Sequence, residues 1–592
     1  MTLELTNWDE DLPVAADEEY QALVRTLKFT DSFGLLFVRC SPSQGKQLVN
    51  QVTEDVTDKN IEVLELKESV DNLYQIIDEL NNKQKIDILF ITGLEQSFYQ
   101  YEECKALSGW DSRDTHSYSW KGVPPVLINL NQQRERFREK FNICFVFLLP
   151  IFAIKYFIQR APDFFDWRSG LFEFPVDAET LEQESSRILQ DADYEKYQAL
   201  TPEERTQKIL AIQELIATEN QIVNNKAELL RELGRLYAAA NDYKKAIASY
   251  DQALQFRPNY HEAWNNRGNA LRNLERNEEA IASYDQALQF KPDYHEAWNN
   301  RGNALRNLGR SEEAIASYDQ ALQFKPDYHQ AWNNRGNALR NLGRNEEAIA
   351  SFDQALQFKP DIHQAWYNRG IALGTLGRNE EAIASFDQAL QFKPDYHQAW
   401  NNRGNALRNL GRNEEAIASF DQALQFKPDY YQAWYNRGNT LGNLGRDKEA
   451  IASFDQALQF KPDDHQAWNN RGIALGNLGR NEEAITSFDQ ALQFKPDYHL
   501  AWNNRGNALR NLGRNEEAIA SFDQALQFKP DDHLAWYNKA CCYALQGNTE
   551  QAIESLQRAI NLNPHECRKW AINDDDFNSI KDDERFQGLM EK

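Results

Sequence analysis

The sequence lacks the features that mark several classes of protein. Only six cysteines occur among its 592 residues, and no two of them have the C-x-x-C spacing of a metal or redox site. We therefore expect no disulfide framework and no metal site, and a reducing compartment is indicated. The N-terminal residues also lack the basic and apolar regions of a secretory signal, so a cytoplasmic location is predicted.

Long apolar runs are missing as well. The longest covers residues 143–154, contains Pro150 and is followed by Lys155. A membrane-spanning helix needs roughly 20 apolar residues. We interpret this segment as a buried strand followed by a helix, and we expect no membrane association.

Basic residues are outnumbered by acidic ones. The chain has 65 Lys and Arg residues against 90 Asp and Glu residues, which gives a net charge of −25. Such a surface repels phosphate backbones at long range, so nucleic acid is not an expected partner.

A repeat dominates what is present. A unit reading AWNNRGNALRNLGRNEEAIASFDQALQFKPDYHQ recurs, and a fixed period in this size range indicates stacked supersecondary units. The tryptophans that recur every 34 residues are Trp264, Trp298, Trp332, Trp366, Trp400, Trp434, Trp468, Trp502 and Trp536.

The repeat has small and large residues at fixed positions. With Trp at position 4, position 8 is Gly, position 20 is Ala, position 24 is Tyr or Phe, position 27 is Ala and position 32 is Pro. This pattern resembles the tetratricopeptide family. With a degenerate first unit there are ten repeats, over residues 227–566. Position 7 departs from the family pattern, because it is Arg where the family has Leu, and its aliphatic stem is expected to lie along the seam between repeats.

Each repeat is predicted to be a pair of helices. Trp at position 4, Gly at position 8 and Leu at position 11 fall on one side of the first helix. Gly-Arg-Asn at positions 15–17 predicts the loop between the two helices, and Lys-Pro-Asp at positions 31–33 ends the second. The small residues at positions 8 and 20 are expected to let the helices approach closely. One pair cannot bury its apolar stripe alone, so the repeats must stack. The apolar residues of the tail, 567–592, are expected to cap the open end.

Asparagines form the candidate ligand site. They occupy positions 6 and 9 of the first helix, opposite the tryptophan stripe, where an amide can bond to a peptide's N–H and C=O groups together. The ladder resembles the one in the repeats of O-linked N-acetylglucosamine transferases. The alternative is a structural role, in which position 6 bonds to the neighbouring repeat. The predicted peptide-binding residues are Asn266, Asn269, Asn300, Asn303, Asn334, Asn337, Asn368, Asn402, Asn405, Asn436, Asn439, Asn470, Asn504 and Asn507.

The first 175 residues have a different pattern. Apolar runs at residues 35–39, 61–66, 88–91, 126–130 and 143–149 predict strands, and helical patterns lie near residues 46–56, 69–80 and 132–141. Alternating strands and helices indicate a parallel sheet covered by helices. A capping box at Thr201–Glu204 (TPEE) begins a helical connector.

The junction after the first strand has the spacing of a phosphate-binding loop. Gly45 and Lys46 match the signature, whereas Cys40 stands in place of its first Gly and Gln47 in place of its hydroxyl residue. This segment resembles degenerate signal-transduction P-loop ATPases (STAND class). The resemblance leaves three alternatives for Gly45 and Lys46: they have no nucleotide function, they bind a nucleotide such as ATP without hydrolysing it, or they belong to an active ATPase.

These observations predict an α+β multidomain protein. An α/β three-layer P-loop-like domain (1–175) and a helical connector (176–226) precede an all-α tetratricopeptide superhelical solenoid (227–566) and a capping segment (567–592). The predicted function is that of a bacterial protein- or peptide-binding adaptor or sensor that is not an enzyme. The alternative is a nucleotide-binding STAND-type signalling switch.

Overall fold

A computed structural model describes residues 16–40, 42–98, 123–174, 178–190, 192–217 and 223–591. The chain forms two compact units, one up to Leu308 and one from Gly309, and each is described by itself. The predicted domain bounds stay a prediction, and the one between residues 175 and 176 lies outside the described residues.

The first unit contains a parallel sheet. Its order is β2-β3-β4-β1-β5, and neighbours pair in register, for example Leu36 with Val146 across β1 and β4. The strands are rich in branched and aromatic residues, which suits a sheet buried on both faces. They are β1 Gly34–Arg39, β2 Ile61–Glu65, β3 Ile88–Thr92, β4 Cys144–Leu149 and β5 Gly170–Glu173.

Helices cover both faces of this sheet. Leu27 and Val52, from α1 and α2, pack against Val38 on one face, and Phe137 and Phe157, from α4 and α5, pack on the other. The helices are α1 Ala16–Phe29, α2 Pro42–Asp55, α3 Leu73–Asp78, α4 Pro125–Lys140, α5 Ile151–Arg160 and α6 Pro162–Phe165.

One predicted strand is wrong. Residues 126–130 lie in α4, which begins after Pro124 with Pro125 in its first turn. The apolar run is one end of a helical face, because Val126, Leu130 and Phe137 are all buried. The prediction for residues 143–154 is confirmed, since β4 is followed directly by α5. None of the helices in the described ranges has the length and hydrophobicity needed to cross a bilayer.

Three helices connect the sheet to the repeats: α7 Ala178–Gln190, α8 Tyr194–Ala199 and α9 Pro202–Ala217. The capping box is confirmed. The Thr201 N–H donates to Glu204 Oε2 at 2.9 Å, and the Glu204 N–H donates to Thr201 Oγ1 at 3.2 Å.

The repeats are helix pairs, as predicted. Repeat 1 comprises α10 and α11, and repeat 10 comprises α28 and α29. In the first unit the helices are α10 Val223–Ala239, α11 Tyr243–Phe256, α12 His261–Asn273, α13 Asn277–Phe290 and α14 His295–Asn307. In the second unit they are α15 Ser311–Phe324, α16 His329–Asn341, α17 Asn345–Phe358, α18 His363–Thr375, α19 Asn379–Phe392, α20 His397–Asn409, α21 Asn413–Phe426, α22 Tyr431–Asn443, α23 Asp447–Phe460, α24 His465–Asn477, α25 Asn481–Phe494, α26 His499–Asn511, α27 Asn515–Phe528, α28 His533–Leu545 and α29 Thr549–Leu562.

Local chemistry sets the limits of each pair. The glycine at position 15 has a positive φ, for example 76° at Gly411, and so ends the first helix in a conformation that glycine adopts without strain. The tryptophans are half-buried rather than fully buried, and their indole N–H groups donate to the proline carbonyl before each helix, as Trp400 does to Pro394 at 2.9 Å.

The close approach of the two helices involves positions 8 and 24. A Cβ built on Gly404 would lie 2.6 Å from the ring of Phe420, and one on Gly268 would lie 2.5 Å from the ring of Tyr284. Where position 24 is aromatic, position 8 must therefore be glycine, because the ring of the second helix fills the space that a side chain would need.

The arginine at position 7 forms a polar clamp across the seam. Arg403 Nε donates to Asp387 Oδ1 of the preceding repeat at 2.6 Å, and its Nη1 donates to Ser419 Oγ of its own repeat at 2.6 Å. The guanidinium also lies 5.7 Å from the ring centroid of Trp400. The predicted position along the seam is thus accompanied by an ion pair that the sequence did not indicate.

The C-terminal tail folds onto the last repeat. It forms α30 Pro564–Asn573, a 3-10 turn at Asp575–Phe577 and α31 Glu584–Met590. Phe577, Ile580, Phe586 and Leu589 are buried in one cluster with residues of repeat 10. This packing agrees with the predicted capping role.

Candidate functional site

The first helices of consecutive repeats contact one another in both units. In the second unit this brings positions 5, 6, 9 and 12 of repeats 4–10 onto one surface, which we call the inner face. Its polar side chains are held on rigid helices, and this favours a binding surface with little ordering cost.

Position 6 is joined from repeat to repeat by amide hydrogen bonds. Asn436 Nδ2 donates to Asn401 Oδ1 of the preceding repeat at 3.1 Å. Where position 5 is tyrosine, the acceptor is its hydroxyl, as for Asn402 Nδ2 and Tyr367 Oη at 3.1 Å. The remaining pairs are Asn300 with Asn265, Asn470 with Tyr435, Asn504 with Asn469 and Asn538 with Asn503, at 3.1–3.3 Å.

Position 5 also bonds within its own helix. Asn401 Nδ2 donates to Asn402 Oδ1 at 3.1 Å, and Asn469 Nδ2 donates to Asn470 Oδ1 at 3.1 Å. The side chains are therefore linked in short runs, such as Tyr367, Asn402, Asn401 and Asn436, and a gap lies at Asn333, whose Oδ1 has no donor among the described residues. This geometry supplies the structural role that the sequence left open, and it also fixes the direction in which each amide points.

Position 9 is less uniformly paired. Asn269 Oδ1 accepts from the Tyr284 hydroxyl at 2.8 Å, and Asn439 Oδ1 accepts from Asn470 Nδ2 at 2.9 Å. Asn405 Oδ1 is buried with no donor among the described residues, because its repeat has phenylalanine at position 24. The same holds for Asn507 Oδ1.

Amides in such a ladder keep bonding capacity. Each amide has two hydrogens and two acceptor lone pairs, so a rung that bonds to its neighbour can still donate to, or accept from, a ligand backbone. Contact between a peptide and the predicted asparagines stays a prediction. The geometry adds that the side chains are oriented before any ligand arrives.

Two residue types on the inner face were not among the predicted site residues. Tyrosine replaces asparagine at position 5 in repeats 5, 7 and 10, and arginine occupies position 12 in repeats 4, 6 and 9. Their significance depends on which repeat follows which. The order in which the repeats occur is the sequence feature that could have identified these residues.

The candidate phosphate-binding residues lie in the first unit. Helix α2 begins at Pro42, so Gly45 and Lys46 are within its first two turns rather than in a loop before it. Gly45 is buried, and a Cβ there would touch Cys40 and Leu148 at 3.4 Å. Lys46 is exposed. Nucleotide binding at these two residues stays a prediction.

Family models agree with the repeat pattern. The model described as Tetratricopeptide repeat matches residues 299–361, 333–397, 367–431, 401–465, 435–499, 469–533 and 503–566. A second, described as TPR repeat, matches residues 234–274 and 268–309. Together these matches span more than half of the chain. No curated protein matches this sequence.

Solved structures include similar repeat proteins. YrrB, described as a TPR protein with an unusual peptide-binding site, is 25% identical over 32% of this chain and 98% of its own, with a TM-score of 0.30. A tetratricopeptide repeat protein from Parabacteroides merdae ATCC 43184 is 20% identical over 42% of this chain and 98% of its own, with a TM-score of 0.33. PilW, a type IV pilus biogenesis factor, is 27% identical over 34% of this chain and 94% of its own, with a TM-score of 0.32. At TM-scores this low, no function of these proteins is assigned to this chain.

Proposed function

Because the chain belongs to the tetratricopeptide repeat proteins, we propose that it is an adaptor that binds an extended segment of another protein on the inner face of its repeats. The bonded ladder of asparagines carries this proposal. Its amides present donors and acceptors that match a peptide backbone, and their mutual hydrogen bonds hold them in place. Binding to such a ladder is expected to tolerate many ligand side chains.

Capture of a partner tests this function. The purified chain is immobilised, and bound proteins are cross-linked and identified by mass spectrometry. Replacing Asn402, Asn436 and Asn470 together by alanine is expected to abolish capture, because three consecutive rungs lose their amides.

The matched control changes amides elsewhere in the repeats. Gln357, Gln425 and Gln459 are exposed on second helices, so replacing them by alanine removes as many amides without touching the inner face. Circular dichroism checks that both triple variants keep their helices. Equal capture by the two variants would contradict the proposal.

The first unit offers a second candidate, a nucleotide-binding switch of the STAND class. One observation favours it. After β1 the chain continues towards one edge of the sheet and after β4 towards the other, although the two strands are neighbours. Ligands of open parallel sheets bind beyond the carboxyl ends of the strands where the chain direction switches in this way. Gly45 and Lys46 follow β1 at that edge.

Titration calorimetry with ATP and Mg²⁺ tests the switch. Micromolar binding that is lost in Lys46→Ala would support it, whereas absent binding would leave the first unit a structural domain. A bacterial cytoplasmic location for either function is likewise proposed from the sequence.

A further inference from the structure

The repeats are near-copies, so the positions at which they differ are informative. In repeats 4–9 the first helices vary mainly at three inner positions: position 5 is Asn or Tyr, position 9 is Asn or Ile, and position 12 is Arg or Gly. No acidic residue occupies positions 5, 6, 9 or 12 of these repeats, although the protein has a net charge of −25. The inner face is therefore a cationic surface on an anionic protein.

Arginine and tyrosine are combined at three junctions in the second unit. At each, an arginine at position 12 is followed by a tyrosine at position 5 of the next repeat, and the two side chains are close enough to interact electrostatically. The three pairs are Arg340 with Tyr367, Arg408 with Tyr435, and Arg510 with Tyr537.

The surroundings of the three pairs are also alike. The repeats that supply the arginine have identical residues at positions 5, 6, 9, 12 and 13, namely Asn, Asn, Asn, Arg and Asn. The repeats that supply the tyrosine have a small residue at position 12: Gly374, Gly442 and Ala544.

The last pair is covered by the chain's own cap. Arg510 Nη1 lies 3.2 Å from Asp576 Oδ2, and the Tyr537 hydroxyl donates to Asp574 Oδ2 at 2.9 Å. The ring of Phe577 is fully buried and packs edge-on against Tyr537, with centroids 5.7 Å apart. An Asp-x-Asp-Phe segment thus supplies one carboxylate to each polar side chain of this pair and an aromatic ring to the tyrosine.

The cap also crosses α28 at Ala544, the small residue at position 12. Ser579 Oγ donates to the carbonyl of Ala544 at 2.8 Å. The corresponding space at Gly442 is open, since a Cβ built there would meet nothing within 4 Å.

The Arg408–Tyr435 pair has the same groups without an acid. Within the part of the chain that the structure describes, no carboxylate lies within ion-pair distance of Arg408, although the guanidinium is half-buried. Other arginines of that repeat are paired, for Arg403 and Arg412 each bind a carboxylate at 2.6 Å. A half-buried guanidinium with no counter-charge is an unfavourable arrangement that an anionic ligand relieves.

The Tyr435 hydroxyl has a proton to donate. It accepts a hydrogen bond from Asn470 Nδ2 at 3.3 Å, and it donates to no acceptor among the described residues. A hydroxyl can accept and donate together, so a ligand carboxylate can occupy the place that Asp574 takes at Tyr537.

We propose that the Arg408–Tyr435 pair binds an acidic–aromatic segment of a partner protein with the pattern Asp-x-Asp-Phe. Arg408 binds one carboxylate, Tyr435 donates to the other and packs against the aromatic ring, and the ligand backbone passes over Gly442. This inference rests on the proposed function, because it names the partner class for the same inner face.

The test uses a synthetic copy of the cap. The peptide NDDDFNSI (residues 573–580), amidated at its C-terminus, is titrated calorimetrically into the full chain. We expect saturable binding with one site for each chain. Arg408→Gln is expected to remove this site. A peptide with asparagine in place of the first and third aspartates is expected to bind at least tenfold more weakly, because both charge-assisted bonds are lost.

The control variant is Arg412→Gln, which removes the same charge from the same repeat at a residue already paired with Glu415, and it is expected to keep the site. Absent binding, an unchanged site number in Arg408→Gln, or equal affinity for the neutral peptide would each overturn the inference. So would binding that requires a free C-terminal carboxylate on the peptide. If the chain forms dimers and Arg408→Gln dissociates them, the site binds the cap of a second copy of the chain rather than a partner protein. If partner capture still depends on the asparagine ladder while Arg408→Gln has no effect, the proposed function survives and only the acidic specificity is wrong.

Discussion

Replacing Gly472 by alanine is expected to destabilise repeat 8, whereas the same change at Gly476 is expected to stabilise it. Both glycines lie in α24, four residues apart. A Cβ at Gly472 would lie 2.5 Å from one ring carbon of Phe488 and within 2.9 Å of two others. A Cβ at Gly476 would meet nothing within 4 Å.

Both changes add the same helix propensity, but only Gly472→Ala causes overpacking. Gly→Ala within a helix adds about 1 kcal/mol of helix propensity at either position. Only at Gly472 must a ring move, and Phe488 is 2% exposed and enclosed by its neighbours. Overpacking of this kind costs about 1–3 kcal/mol. The difference between the two variants should therefore equal the overpacking cost alone.

Hydrogen exchange read by mass spectrometry measures this difference locally. Opening of α24 and α25 should be roughly 5- to 150-fold more frequent in Gly472→Ala than in Gly476→Ala, because about 1.4 kcal/mol corresponds to a factor of ten. Adding Phe488→Leu should restore part of the protection in Gly472→Ala. Equal protection in the two single variants would refute the packing argument, and so would a loss that Phe488→Leu does not relieve.

Three further changes test other contacts. Phe420→Tyr should stabilise repeat 6 by about 1 kcal/mol in denaturant unfolding, because the new hydroxyl supplies the donor that the buried Asn405 Oδ1 lacks; no gain would mean that the two groups do not meet. Arg403→Ala should destabilise the seam by about 1–2 kcal/mol in the same assay, and a neutral result would show the clamp to be dispensable. Hydrogen bonds from the Arg585 side chain and backbone lower the pKa of Asp583 to about 2. This carboxylate therefore stabilises the cap at pH values above its ordinary pKa, and the stabilisation is lost as the pH falls through about 2. Carbon NMR should show that the titration midpoint of Asp583 rises in Arg585→Ala.

The sequence was sufficient to predict the repeats. The period of the tryptophans and the Gly and Pro signals define each helix pair, because local turn chemistry decides where a helix ends. The partner of Gly404 could not be found in this way. The prediction paired position 8 with the alanine at position 20, whereas the structure places the ring of Phe420 there. Which side chain fills a gap depends on how two helices cross, and the sequence does not give that angle.

The sheet was predicted less completely. The short edge strand Gly170–Glu173 was missed, since four residues carry little pattern. Residues 126–130 were assigned to a strand because an apolar run of that length fits either structure. On the inner face, a bond from position 6 to the neighbouring repeat was one of two alternatives, but its acceptor could not be predicted, because Asn436 meets Asn401 only when the repeats stack.

The arginine clamp at each seam has a consequence for how this protein can change over time. From repeat 4 to repeat 9 each repeat bonds to the one before it through the same Arg–Asp contact, so these repeats can follow one another without a new interface. Duplication or loss of whole repeats would then lengthen or shorten the array while leaving its joints intact. An event between two arginine–tyrosine pairs would also change the spacing of those pairs by one repeat.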